Sequence, residues 1–118
     1  MATPTTFTVK NVDAAQLATT TGTLYTVPTT TNGAQITSIK LVNATTTPAD
    51  AHIYLVNSGG TAGDANILCK DFSVPADGLP YELITPESPV FLESAGTIQG
   101  KADTASAITY HISVVEFN

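Results

Sequence analysis

Gly96-Thr-Ile-Gln-Gly-Lys-Ala-Asp-Thr-Ala-Ser-Ala-Ile-Thr-Tyr-His-Ile-Ser-Val-Val-Glu-Phe117 is the stretch whose periodicity decides the fold. Ile108, Tyr110, Ile112 and Val114 occupy every second position, and Thr109, His111 and Ser113 fill the gaps. A period of two over this length predicts a strand with one face in a core. The polar link Asp103-Thr-Ala-Ser106 precedes it. A link that short predicts antiparallel pairing with the strand that carries Ile98, a hairpin at the centre of a β-sandwich.

Working back from that hairpin, short strands recur. Pro89–Leu92 and Tyr81–Ile84 each stop at turn residues. Pro75-Ala-Asp-Gly78 reads as a turn with proline at its second position. Ile67–Val74 and His52–Val56 are apolar on both faces, and the latter reads as a central strand. Gln35–Asn43 alternates, but Ile36 is out of phase with Ile39 and Leu41, which predicts a β-bulge between them. Thr23–Val27 ends at Pro28, and Asn32-Gly33 is a turn signal. Asp13–Ala18 could start a short helix capped by Asp13, with a loop or a short strand as alternatives. Residues 1–8, rich in threonine with Pro4, read as an N-terminal arm, and Phe7 and Val9 could anchor a first edge strand. Eight or nine short strands about a dozen residues apart predict an all-β, single-domain antiparallel sandwich of jelly-roll type over residues 9–118.

Composition bounds the function. The chain has 118 residues, enough for one domain with its own core. Only 12% of residues are charged, about half the usual share of roughly 25%. Ten acids stand against four bases, Lys10, Lys40, Lys70 and Lys101, for a formal charge of −6. Nucleic-acid binding and docking on an anionic membrane both need clustered cations, so neither partner is expected. The start, Met-Ala-Thr-Pro-Thr-Thr, lacks the charged and apolar regions of a secretory signal, so synthesis in a host cytoplasm is expected.

The chemistry-bearing residues are few. Cys69 is the single cysteine, sits in an apolar strand and reads as a buried small hydrophobe; as a nucleophile it would need His52 or His111 beside it, and no motif links them. Glu82, Glu87 and Glu93 are carboxylates by composition, and surface roles are expected for them. The glycines of Asn57–Asp64 lack the lysine and helix of a phosphate loop. Asp64, Asp71 and Asp77 do not follow a calcium-loop pattern, and neither metal nor cofactor is expected. Asn43-Ala-Thr45 matches a glycosylation sequon by chance in this reading. His52 shares a strand face with Tyr54 and Val56, which predicts partial burial, while His111 falls on the polar face of the last strand, as a surface or interface residue.

Several segments in order carry a family resemblance: Gly-Thr-Leu-Tyr-Thr-Val-Pro (22–28), Ala-Gln-Ile-Thr-Ser-Ile-Lys-Leu-Val-Asn (34–43), Ala-His-Ile-Tyr-Leu-Val-Asn-Ser-Gly-Gly-Thr-Ala-Gly-Asp-Ala-Asn (51–66), Pro-Val-Phe-Leu-Glu-Ser-Ala-Gly-Thr-Ile-Gln-Gly-Lys-Ala (89–102) and Ile-Thr-Tyr-His-Ile-Ser-Val-Val-Glu (108–116). Over residues 20–117 the chain resembles the small all-β structural proteins of tailed bacteriophages, which occur as capsid decoration (cement) proteins and as tail- or fibre-associated subunits. The resemblance implies a non-enzymatic virion component on the outer surface of capsid or tail. Its implied partners are the major capsid protein or another virion protein. It brings no catalytic residue. Val114-Val115 departs from the small residue that such proteins often carry before the last glutamate, which bears on contacts at that edge.

Within this reading a capsid decoration role comes first. A tail, baseplate or fibre-associated subunit is the alternative, and a carbohydrate-binding attachment module the second. The last is disfavoured by the absence of tryptophan and by four tyrosines that all lie within strands. Identical patches favour a homo-oligomer, a dimer or trimer. Thr3, Pro4, Thr5, Thr6 and Phe7 of the arm, together with His111, are the expected partner contacts, the arm by adding to a neighbour's sheet edge.

Overall fold

A computed structural model describes residues 6–118. Nine strands follow one another: β1 (Phe7–Gln16), β2 (Gly22–Thr26), β3 (Ala34–Asn43), β4 (Ala49–Val56), β5 (Ile67–Val74), β6 (Tyr81–Ile84), β7 (Val90–Leu92), β8 (Thr97–Ala102) and β9 (Ile108–Phe117). A single 3₁₀ turn, Asp64–Asn66, precedes β5. Every strand pairing is antiparallel. One sheet runs β1-β9-β3-β6 with β7 also on β3; the other runs β2-β8-β4-β5.

The pairs β1·β9, β2·β8, β3·β6 and β4·β5 are those of one long ribbon folded on itself. Wrapping that ribbon places its successive pairs in alternate sheets. With β7 set aside as an addition, this is jelly-roll topology, as the sequence predicts.

The same wrapping overturns the expected hairpin. β8 and β9 do not pair: β8 lies between β2 and β4, and β9 between β1 and β3. The link 103–107 is a corner that crosses the sandwich, a gap of about 10 Å. It turns at Ser106, whose φ of 57° is left-handed, and is tied down where Asp103 N–H donates to Asp50 O at 3.0 Å. The two strands are each central to their own sheet and face each other across the core.

That core is built from the predicted alternation. Ile108, Tyr110, Ile112 and Val114 are all buried, against Ile36, Ile39 and Leu41 of β3 and Ile53 and Ile98 of the opposite sheet. The bulge predicted in β3 falls between Ile36 and Ser38 opposite β9, and it returns Ile36 to the core face. β4 is interior to its sheet. On its outer face Val56 is covered by the following loop, where a Cβ at Gly60 would lie 3.1 Å from Val56 Cγ1.

Two segments take the form of one of their alternatives. Residues 12–16 belong to strand, not helix: β1 continues to Gln16 with a register shift between Val12 and Ala15, and Leu17 is buried with its N–H on Ile108 O at 2.8 Å. Pairing with β9 outweighs a short, weakly capped helix. Phe7 and Thr8 of the N-terminal arm are the first residues of β1.

Candidate docking face

The site is a surface rather than a pocket, and alternation builds it. In β9 the even residues 108–116 face the core, so Thr109, His111, Ser113, Val115 and Phe117 face outward. Register carries that outer face across the sheet. Phe7 stands opposite Phe117, and Val9 opposite Val115. Val115 is opposite Gln35 of β3, and Gln35 opposite Phe91 of β7. Phe7, Val9 and Phe91 are 67%, 73% and 58% exposed, and the rings of Phe91 and Phe117 lie 6.3 Å apart. With Val115 and Phe117 these side chains from β1, β9 and β7 form an apolar patch beside Gln35 of β3, and a monomer's largest exposed apolar patch is often its interaction site.

The rest of the face changes character along the strands. Next comes a hydroxyl and amide row, where Ser113 Oγ donates to Asn11 Oδ1 at 2.8 Å and Thr37 Oγ1 donates to Ser113 O at 3.1 Å. Beyond it, His111 is opposite Lys40, and Lys40 opposite Glu82. One end is apolar and the other polar and charged, so the face offers the apolar area of an interface with polar residues along one side of it.

Gly33 sets the patch geometry. Its φ is +114°, and an added Cβ would fall 2.3 Å from Phe91 Cζ. A side chain there would displace the ring, so Phe91 lies where it does because residue 33 has none.

The predicted contacts fall as follows. Phe7 and His111 share this face, six positions of β9 register apart, about 20 Å along the strands. Thr6 precedes β1, and its carbonyl accepts from Asn118 N–H at 3.0 Å. Thr3, Pro4 and Thr5 lie outside the described residues. Sequence reasoning missed Val9, Val115, Phe117 and Phe91 as contacts. Val115 and Phe117 carried a signal, being apolar in phase with polar His111 and Ser113.

The remaining chemical groups are tied into structure. Asn43 is fully buried: its Nδ2 donates to Thr47 O at 2.9 Å and Val74 O at 3.1 Å, and its Oδ1 accepts from the N–H and hydroxyl of Thr45. A sequon asparagine so engaged offers no free amide in the folded chain. Cys69 is half-buried against the core, its Sγ 3.9 Å from Ala51 O, and burial pushes its thiol above the ordinary range. His52 Nε2 lies 3.0 Å from Asp71 Oδ1 on the next strand. Glu82, Glu87 and Glu93 are exposed. Among the described residues no three of His, Cys, Asp and Glu are grouped to hold a metal ion.

Beneath the edge strand a polar cluster joins the sheets. Tyr25 of β2 donates its hydroxyl to Glu116 Oε2 of β9 at 2.5 Å, and Lys10 Nζ lies 3.8 Å from the same carboxylate and 5.9 Å from the Tyr25 ring centre. Tyr25 and Glu116 are buried, while Lys10 is half-exposed. Lys10 and Tyr25 line an open cleft of about 360 Å³ together with Val12, Leu24 and Tyr110. Burial first, then the Glu116 carboxylate, pushes the Tyr25 phenol far above its ordinary value. Burial, then the charge of Asp13, also raises Tyr110.

A raised phenol keeps its contribution to stability below the ordinary tyrosine value of about 10 and loses it as pH rises toward the folded value. Unfolding midpoints are therefore expected to fall above about pH 10. Tyr25→Phe is expected to be less stable at pH 8 but to have a shallower alkaline decline. Urea titrations from pH 8 to pH 12 check this; equal slopes for both proteins would contradict it.

No family model matches the chain, and no curated protein matches it. Among solved structures, it is similar to the infectious bursal disease virus VP2 subviral particle, at 15% identity and a TM-score of 0.43. The similarity covers 98% of this chain and 34% of that one, so this chain spans about a third of the viral protein's length.

Proposed function

We propose that this chain is a non-enzymatic structural subunit of a virion, and within that class a capsid decoration protein that binds the outer shell and bridges junctions between capsid subunits. The observation that carries this reading is the two-toned outer face of the β1-β9-β3-β7 layer, with Phe7, Val9, Val115, Phe117 and Phe91 at its apolar end. Such a face is suited to docking on another protein. Jelly rolls recur in virus capsids as well as in lectins, so the topology agrees without deciding. The resemblance to tailed-phage structural proteins narrows the choice. A formal charge of −6 fits a position outside the shell, away from packaged nucleic acid.

The mechanism is mechanical. A subunit that touches two neighbours gains from effective concentration, so modest contacts add up across a joint. Labelled antibody against this chain, applied to intact particles, tests the placement. Staining over the whole shell is the expected result. Staining confined to the tail would replace the decoration role by the tail-associated one.

A further inference from the structure

We propose that two copies of this chain pair antiparallel through the free edge of β1, about a two-fold axis at Val9. The inference rests on backbone geometry and does not depend on the virion reading.

The direction of the backbone groups follows from two observed bonds. Asn118 N–H donates to Thr6 O, toward β1, while Phe117 N–H donates to Gly33 O, toward β3. Even residues of β9 therefore bond β1, and odd ones bond β3. The β1·β9 register is unbroken from Phe7 to Val12. Thr8, Lys10 and Val12 thus spend their N–H and C=O on β9. Phe7, Val9 and Asn11 aim theirs outward, where no strand among the described residues meets them.

Three outward residues, spaced by two, are self-complementary. With Val9 opposite Val9 of the second copy, Phe7 stands opposite the second copy's Asn11, and all three are hydrogen-bonded pairs. That register makes six backbone bonds. Among the described residues, centring on Thr8 would make four. Centring on Lys10 would set two ammonium groups face to face, which is unfavourable. In the Val9 register Lys10 stands opposite Thr8, and its charge is already met by Glu116 at 3.8 Å. A chain of charge −6 thus meets its copy along an edge that carries no net charge of its own.

The other edges are poorer. β5 is interrupted by register shifts opposite β4 and by Asp71 at φ 51°, β2 shifts register between Thr23 and Tyr25, and β6 and β7 are four and three residues long. Edge strands are commonly guarded by such features. In β1 the guard, the shift between Val12 and Ala15, begins only past the paired segment.

Pairing keeps the outer faces of both copies on one side. Val9 of each copy then meets its counterpart at the axis, so the two apolar patches touch there, with each Phe7 beside the other copy's Asn11. A five-residue edge buries less than the roughly 800 Å² per partner of a standard stable interface, so the dimer is weak when free and gains when its joined face is covered.

Cysteine trapping tests it, in a Cys69→Ala background. Val9→Cys should oxidise to a covalent dimer at least about fivefold faster than Thr61→Cys, an exposed loop control, since a paired Val9 register places the two Cα atoms about 5.5 Å apart. Equal rates would overturn the pairing. Val9→Pro removes a donor that no strand of the same chain uses. It is expected to keep the monomer's unfolding curve and to abolish the concentration-dependent dimer expected in sedimentation of the unaltered chain. A Val9→Pro protein that associates as the unaltered chain does would equally refute it.

Discussion

Particles assembled with Phe91→Ser/Phe117→Ser protein are expected to carry far less of this subunit, with apparent affinity for the shell lowered at least about a hundredfold. Central aromatic anchors of an interface typically cost about 2 kcal/mol or more each when truncated, and two such losses reach that range. The rings are adjacent, 6.3 Å apart, so their effects need not add in full. Folding should be almost untouched. Phe91 is 58% exposed, and Phe117 lies on the outer face, away from the core cluster. A thermal midpoint within a few degrees of the unaltered chain, together with lost occupancy, separates docking from stability. Thr61→Ser, in the exposed loop between β4 and β5, should leave occupancy unchanged.

The largest effect on stability is expected at Asn43. Asn43→Ala removes two donated and two accepted side-chain bonds at a position with no solvent exposure. Each net bond is worth about 1 kcal/mol, and a buried carbonyl left without a donor costs about 1–3 kcal/mol. A loss of about 3 kcal/mol is expected, which lowers the melting temperature by roughly 10 °C in a domain of this size. Asn43 ties the β3–β4 turn to the end of β5 through Val74 O, and its own carbonyl accepts from Gly78 N–H at 3.1 Å. Asn43→Asp should be no better, because it keeps the acceptors but loses both donors and buries a charge. Thr45→Val, which loses only hydroxyl bonds at a more exposed residue, should cost about 1 kcal/mol. Calorimetry on the three variants ranks them; a small effect at Asn43 would mean that water replaces the bonds.

The docking patch and Asn43 differ in how plainly the sequence announces them. Alternation in Ile108–Phe117 identifies the core face of β9, and the slip between Ile36 and Ile39 locates a bulge, because side-chain direction is a local property of a strand. Sheet membership is not local. The link 103–107 is compatible with a hairpin or with a corner, and only the folding of the whole ribbon selects the corner. The same holds for the site. Val115 and Phe117 are out of keeping with the polar phase of their own strand, so two of the five patch residues are visible in one segment. Phe91 joins it only because β7 pairs with β3 and Gly33 leaves room for its ring. Asn43 looks like a sequon in one dimension. In three it is a buried hub, since Thr47 and Val74 reach it from separate turns and strands.

An image reconstruction of a virion that carries this subunit tests the docking face most directly. The predicted density places Phe7, Phe91 and Phe117 against the capsid shell and covers them. A subunit bound with that face open to solvent, or resting on the β2-β8-β4-β5 sheet instead, would contradict the account.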